Sequence, residues 1–319
     1  MAIYKGFLER RKKISKIING NLNRLLVFIG PCSIHSSIGC IKFAKILKKN
    51  EEKFKNLLIV MRVFLEKPRT CSGWKGFVYD PDINDTYKVN KGIKISKKII
   101  KKVNEIGVAV CTEFLNPFIK CFIEKYISVG FIGARNNESQ VHREMASSLK
   151  IPVGFKNNTN CSIVGAINSI DSCKKKSFCF SIRKSKVVFK KNINNNECFL
   201  VLRGGDNITN FDDISVRKSI DKLKERGINK GLVIDFSHGN SSKNFKKQKE
   251  VCDDVCKQIV KNNRISGVMI ESNLEEGSQL IKKGKISPYI SITDSCISIK
   301  ESMLILKKLD KSVEKRKVR

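Results

Sequence analysis

The sequence predicts an α/β fold: a (β/α)8 barrel of the TIM type, with a short N-terminal extension and a strand-like insertion near 178–200. Three observations predict it: eight short apolar runs, helical stretches between them, and a reactive side chain close behind every run. A chain of 319 residues is long enough for one such barrel, which needs roughly 250. No tandem repeat or disordered linker divides 1–319, so a single catalytic domain is expected. Residues 1–24 then form the extension and 305–319 a basic C-terminal tail.

The runs are 25–29, 57–63, 107–111, 129–133, 151–155, 198–202, 232–234 and 267–270. Most are rich in Val, Ile, Leu and Phe without polar alternation, as expected of strands buried on both faces of a parallel sheet. Between the first two, Ile38, Ile41, Phe43, Ala44 and Leu47 recur at helical spacing, with lysines on the remaining positions. Ahead of the last run, Ser241-Ser242 offers a helix cap. Two connections are long: 64–106 should hold a loop and then a helix, and 157–197 a helix and then the insertion.

Behind the runs come, in order, Cys32, Arg62, Glu113, Arg135, Lys156, Arg203, His238 and Glu271. A (β/α)8 barrel gathers the C-terminal ends of its strands around one mouth, so these side chains should meet there.

Composition narrows the partners. The formal charge is +33, which suits either phosphate contacts with nucleic acid or compositional drift toward Lys, Asn and Ile. The lysines are dispersed, and a single Trp leaves few platforms for stacking bases. Drift is therefore the preferred reading, nucleic acid is not an expected partner, and part of the charge should serve anionic substrates. No apolar stretch reaches the ~18 residues of a membrane span, and MAIYKGFLERRKKISKII carries charges where a signal peptide is apolar. A cytoplasmic protein with no membrane partner is expected.

The twelve cysteines contain no CxxC pair. Cys111, Cys179 and Cys198 lie in apolar runs as small hydrophobes, while Cys252 and Cys256 should share a helix face with Phe245, Val255 and Ile259. Cys32 differs. Alone it reads as a buried thiol, and His238 alone equally as a hydrogen-bonded structural imidazole or a ligand. On one rim with Glu271, and with Asp294 from the loop after the last run, they offer a thiolate, an imidazole and two carboxylates. That set suits one divalent transition ion such as Mn, Fe, Zn or Co. His35 is expected to have a capping or local structural role, and His142 to orient neighbours of Arg135.

Arg62, Arg135, Lys156 and Arg203, with the loop Lys67-Pro68-Arg69-Thr70, should ring the mouth with cations that only polyanionic ligands would neutralise. Gly204-Gly205 should let backbone amides approach a phosphate.

GPCSIH (30–35), MRVFLEKPRT (61–70), GWKG (73–76), EFLNP (113–117), GARNNESQVHRE (133–144), PVGFKN (152–157), LRGG (202–205), DFSHGNSSK (235–243), ESN (271–273) and SITDSC (291–296) together resemble the type I 3-deoxy-D-arabino-heptulosonate 7-phosphate (DAHP) synthases, in order over roughly 20–300. The resemblance implies a metal-dependent condensation of phosphoenolpyruvate with erythrose 4-phosphate, the first step of the shikimate pathway. It implies Cys32, His238, Glu271 and Asp294 as metal ligands. Arg135, Arg203 and the backbone at Ala134 would hold the phosphoenolpyruvate phosphate, with Glu113 nearby. Arg62, Lys67 and Lys156 would take its carboxylate. Arg69 and Thr70 would bind the erythrose 4-phosphate phosphate, with Pro68 and Asp294 near its hydroxyls, and Lys67, Lys156 and Asp294 would be catalytic. A homodimer or homotetramer is possible on the same ground.

Two departures stand out. Only about two dozen residues precede the first run, where many relatives carry a longer arm, and 182–197 is a Lys/Asn-rich stretch in place of a better-defined segment. Lys150 also stands near the relatives' effector pocket. Weak or absent inhibition by Phe, Tyr or Trp is expected. The related condensation with arabinose 5-phosphate is disfavoured by KPRT and ESQVHRE, and an inactivated or nucleic-acid-binding barrel by the intact set of reactive residues.

Overall fold

The computed structural model describes residues 2–69, 71–183, 186–281 and 286–316. Along the chain run α1 (Ala2–Ile18), β1 (Leu25–Gly30), α2 (Ser37–Asn50), β2 (Leu57–Arg62), α3 (Val89–Ile106), β3 (Ala109–Glu113), α4 (Pro117–Ile123), β4 (Val129–Ile132), α5 (Gln140–Ser148), β5 (Val153–Lys156) and α6 (Val164–Lys174). They are followed by β6 (Ser177–Arg183), β7 (Lys186–Ile193), β8 (Cys198–Leu202), α7 (Asp213–Glu225), β9 (Leu232–Asp235), α8 (Gln248–Lys261), β10 (Ile265–Asn273), β11 (Ile297–Ser298) and α9 (Ile299–Glu314).

Strands β1-β2-β3-β4-β5-β8-β9-β10 pair in parallel in that order, and β1 pairs back onto β10, which closes the barrel. Side chains alternate across each strand. Leu26, Phe28, Leu58, Val60, Phe131, Phe199, Val201 and Met269 fill the interior, whereas Leu25, Val27, Ile29 and Ile59 pack with the outer helices. The expected extension is α1, whose Ile14, Ile17 and Ile18 join the interior cluster and plug the barrel floor. Among the described residues no helix is long and apolar enough to cross a membrane.

Several expected boundaries shift for local reasons. In α2, Phe43, Ala44 and Leu47 are buried as expected, but Ile38 is 69% exposed. Ser36 caps that helix by accepting from the Gly39 amide at 3.2 Å. Gly107 sits at φ 96° as the left-handed end of α3, so the run beginning there becomes strand only at Ala109. Ser242 and Lys243 lie in a left-handed turn, and the cap falls to Asn244, whose side chain accepts from the Lys246 amide ahead of α8. The insertion is an antiparallel hairpin of β6 and β7, while 198–200 already belong to the barrel strand β8. The expected basic tail is largely the barrel's last helix. Ile305, Leu306, Leu309 and Val313 of α9 are buried, and the buried Arg316 donates to the carbonyls of Ile265 and Arg24, both at 3.2 Å. Residues 317–319 lie outside the described residues.

Candidate active site and metal centre

The parallel sheet brings all eight run-ending residues together. Cys32, Arg62, Glu113, Arg135, Lys156, Arg203, His238 and Glu271 line one cavity of about 480 Å³, joined by Phe64, Glu66, Lys67, Pro68 and Ala134. An outer cavity of about 1470 Å³ shares Lys67, Pro68, Arg135, Arg203, His238 and Glu271 with it and adds Arg69 and Asp294. Thr70, the remaining candidate, lies outside the described residues.

One wall carries the metal-type donors. Single ligand atoms of Cys32, Glu271 and Asp294 lie within 4.8 Å of one another. The Cys32 thiol donates to Asp294 Oδ2 at 3.3 Å. His238 Nε2 comes within 3.7 Å of Glu271 Oε1. Its other ring nitrogen, Nδ1, lies 3.0 Å from Asp235 Oδ2 and 2.7 Å from Ser237 Oγ. A buried carboxylate behind the imidazole fixes ring orientation. His238 itself stands at φ 57°, a strained conformation of the kind that clusters at functional sites. The turn is pinned by Asn240, which donates to the Asp235 carbonyl at 2.8 Å.

Three anionic or ionisable groups this close repel one another unless a cation joins them. Lys67 Nζ lies 2.8 Å from Cys32 Sγ and 2.6 Å from Asp294 Oδ2. Burial alone would lower the Lys67 pKa, but Cys32, Asp294 and Glu271 together raise it above its ordinary value. Burial pushes the Cys32 thiol up to about 11, with Glu271 adding and Lys67 opposing. Burial would raise the Asp294 carboxyl, yet Lys67 holds it below the usual carboxylate range. Thiol, imidazole and two carboxylates on one wall, with a carboxylate supporting the imidazole, fit a divalent transition ion.

Anion-binding groups line the same cavity, in contact with those donors. Arg62 is 1% exposed and donates to Glu271 Oε1 at 2.8 Å, with its guanidinium carbon 4.1 Å from the Phe64 ring centre. Its Nε and Nη1 have no protein partner among the described residues. A buried guanidinium with unspent donors is costly unless a ligand takes them. Lys156 Nζ sits 3.5 Å from Glu113 Oε2 and 3.7 Å from Asp235 Oδ2. Asn157 Oδ1 accepts from the Arg203 amide at 2.7 Å. A Cβ at Gly133 would come 2.4 Å from Glu113 Oε1, so a larger residue here would push that carboxylate aside.

The glycine pair 204–205 serves packing instead of phosphate. The Gly204 amide donates to Asn210 Oδ1 and the Gly205 amide to the Ile208 carbonyl, both at 2.7 Å, so both donors are spent. Gly204 stands at φ +70°, and a Cβ there would lie 2.5 Å from the Asn240 amide. Close approach to the turn beside His238 is what requires glycine. His35 bonds the Ser287 carbonyl at 3.0 Å, and the adjacent Ser36 does the capping. His142 is an orienting residue, with Nε2 2.8 Å from the Leu115 carbonyl and Nδ1 2.9 Å from Ser139 Oγ.

Sequence reasoning missed Phe64, Glu66 and Asp235. Asp235 was visible as an acid ending the run LVID, and Glu66 as an acid directly after the apolar VFL. Both are buried, Asp235 fully and Glu66 at 2% exposure.

Residues 7–307 match the model of the DAHP synthetase I family. The chain is 43% identical over 311 residues to a phospho-2-dehydro-3-deoxyheptonate aldolase of Haemophilus influenzae, covering 96% of this chain and 85% of that one. It is 42% identical over 313 residues to the Phe-sensitive phospho-2-dehydro-3-deoxyheptonate aldolase of Escherichia coli, covering 96% and 89%. A solved structure of phospho-2-dehydro-3-deoxyheptonate aldolase from Francisella tularensis superposes with a TM-score of 0.97 at 40% identity, covering 99% of this chain and 93% of that one.

Proposed function

Since this chain belongs to the DAHP synthetase I family, transferases of the shikimate route to aromatic amino acids, we propose that its mouth joins phosphoenolpyruvate to erythrose 4-phosphate with a divalent metal ion bound. The observation that carries this reading is the convergence of all eight run-ending residues on one cavity, metal-type donors and cations together.

Cys32, His238, Glu271 and Asp294 are assigned to the metal. Once bound, the ion would supply Lewis acidity toward the sugar aldehyde. The inner cavity is assigned to phosphoenolpyruvate, its phosphate toward Arg135, Arg203 and the backbone at Ala134, its carboxylate toward Arg62, Lys67 and Lys156, with Glu113 nearby. The outer cavity is assigned to erythrose 4-phosphate, with Arg69 and Thr70 at its phosphate and Pro68 and Asp294 near its hydroxyls. The cationic wall offsets repulsion between two anionic substrates and so makes their approach attainable. The enol C3 of phosphoenolpyruvate attacks the aldehyde carbon, water adds at C2, and phosphate leaves with C–O cleavage. Lys67 is assigned to stabilise or protonate the new alkoxide. Lys156 and Asp294 complete the catalytic set.

We further hold that aromatic amino acids inhibit this chain weakly or not at all. The support is the Lys/Asn-rich hairpin segment and the exposed Lys150. The site reading suits small soluble substrates, a cytoplasmic setting and no nucleic-acid partner.

The test uses cobalt(II) titration and turnover of the purified chain. Wild type should bind one ion with a thiolate charge-transfer band and consume phosphoenolpyruvate with erythrose 4-phosphate in preference to arabinose 5-phosphate. Cys32→Ala should lose the band and at least about a thousandfold in turnover, the scale expected when a metal-activated step is lost. Turnover retained in Cys32→Ala sinks the ligand assignment. Inhibition of wild type by micromolar Phe, Tyr or Trp sinks the regulatory one.

A further inference from the structure

Three consecutive loops above the barrel are tied by one chain of hydrogen bonds that the assigned chemistry leaves unused. Glu66 follows β2 and directly precedes Lys67. Its Oε1 accepts from Tyr79 OH at 3.0 Å and from the Asn116 amide at 3.2 Å, and its Oε2 accepts from the Leu115 amide at 3.3 Å. Asn116 Nδ2 in turn donates to Tyr79 OH at 3.2 Å, closing a ring. The Leu115 peptide is held from its other side as well, since its carbonyl accepts from His142 Nε2 at 2.8 Å. That bond needs a proton on Nε2, and Nδ1 lies 2.9 Å from Ser139 Oγ.

The chain Glu66–Leu115–His142 thus links the loop after β2, the loop after β3 and the first turn of α5. These loops carry Lys67 and Arg69, lie beside Glu113, and follow Arg135, respectively. Glu66 also lines the inner cavity. A buried carboxylate held by three neutral donors is an expensive way to hold a loop. A neutral side chain would be cheaper wherever only loop shape mattered.

We propose that Glu66 is a positioning residue that braces the loops over the mouth, setting Lys67 against the metal-ligand wall and Glu113 against Lys156. This deepens the phosphoenolpyruvate assignment and rests on it for its kinetic consequence, though not for the brace itself. The brace needs the carboxylate as an acceptor. Burial pushes that carboxyl up to about 7, against the lowering effect of its donors and with Glu113 adding to the rise. The titratable groups around it are Tyr79 from its own loop and Glu113 from β3, with Lys67 beside it and His142 beyond Leu115. As pH falls through about 7, Glu66 gains a proton, loses acceptor capacity and loosens the brace.

Trp74, the single tryptophan of the chain, lies in the same loop and donates to the Asp80 carbonyl at 2.8 Å. It reports the brace without any substrate. In Glu66→Ala, acrylamide quenching of Trp74 should rise at least about twofold with unchanged far-ultraviolet dichroism. kcat/KM for phosphoenolpyruvate should fall about a hundredfold, as displacement by an ångström can cost that much. Glu66→Gln should recover to within about tenfold of wild type at pH 8 and lose the acid limb near pH 7. Should the alanine variant fail to fold, Glu66→Gln and Tyr79→Phe carry the same readouts. Unchanged Trp74 quenching in the foldable variants, or an acid limb that survives in Glu66→Gln, overturns the brace. A wild type that turns over neither substrate while Trp74 still responds overturns the functional assignment and leaves the brace standing.

Discussion

The two ends of the same eight strands are built on opposite principles. At the floor, Ile14, Ile17 and Ile18 of α1 close the interior against Leu26, Leu58 and Val129, with every one of these side chains buried and apolar. At the mouth, the strand ends and the loops just beyond them present Arg62, Glu113, Lys156, Arg203 and Glu271, which are buried too but charged. Burying apolar surface stabilises at roughly 25 cal/mol per Å², whereas burying charge costs unless every donor and acceptor is met. The floor pays into stability and the mouth draws on it. Arg62 makes the contrast plain, with one guanidinium nitrogen on Glu271 and two others without a protein partner among the described residues.

The contrast breaks most sharply at Arg62. Arg62→Met keeps much of the volume but leaves Glu271 buried and unpaired. Removing one partner of a buried pair costs about 3–5 kcal/mol. That cost falls on folding; separately, a bound carboxylate that loses its buried guanidinium partner loses about 2–5 kcal/mol, so we expect kcat/KM for phosphoenolpyruvate to fall by roughly a thousandfold, at 1.4 kcal/mol per factor of ten. A variant with turnover within tenfold of wild type would mean that Arg62 serves the core and not the substrate.

At the other end, Ile17→Ala should destabilise by about 2–5 kcal/mol, the usual cost of truncating a fully buried aliphatic side chain. Urea unfolding gives the loss directly, and the Michaelis constants of the remaining folded protein should not move. A changed KM would show that floor packing reaches the mouth and that the two ends are not separable.

The same contrast explains what could be read from the sequence. Strands buried on both faces need continuous apolar runs, so β1, β2, β8 and β9 announced themselves, and a parallel closed sheet then forces their ends into one ring. The eight run-ending residues followed from that constraint alone. Elements set by local hydrogen bonding were less visible. The cap fell to Asn244, on the short 3-10 turn leading into α8, because Ser242 is taken up in a left-handed turn. The C-terminal lysines hid the buried stripe of α9, since one helix shows both faces within the same few residues. Gly204 read as a phosphate-binding glycine, but its demand is steric, from the Asn240 backbone across the mouth. Glu66 and Asp235 escaped because their partners lie in other loops: Leu115 and Asn116 for one, Lys156 for the other.

Asp235 sharpens the comparison between the two ends, because it belongs to the mouth by charge and to the core by burial. Its carboxylate is fully buried, 3.0 Å from His238 Nδ1 and 3.7 Å from Lys156 Nζ. Burial would raise its pKa, but His238 and Lys156 outweigh that and hold it below the usual carboxylate range. Asp235→Asn keeps the shape, and its amide oxygen can still accept from Nδ1–H, but the charge behind the ring is gone. Losing such an outer partner of a metal-ligating histidine typically costs 10–100-fold in metal affinity. Cobalt(II) affinity should therefore fall by about that factor, with the thiolate band of Cys32 retained at saturation. Loss of the band would place Asp235 among the groups that organise the whole wall. Unchanged affinity would make it a core residue that only happens to touch His238.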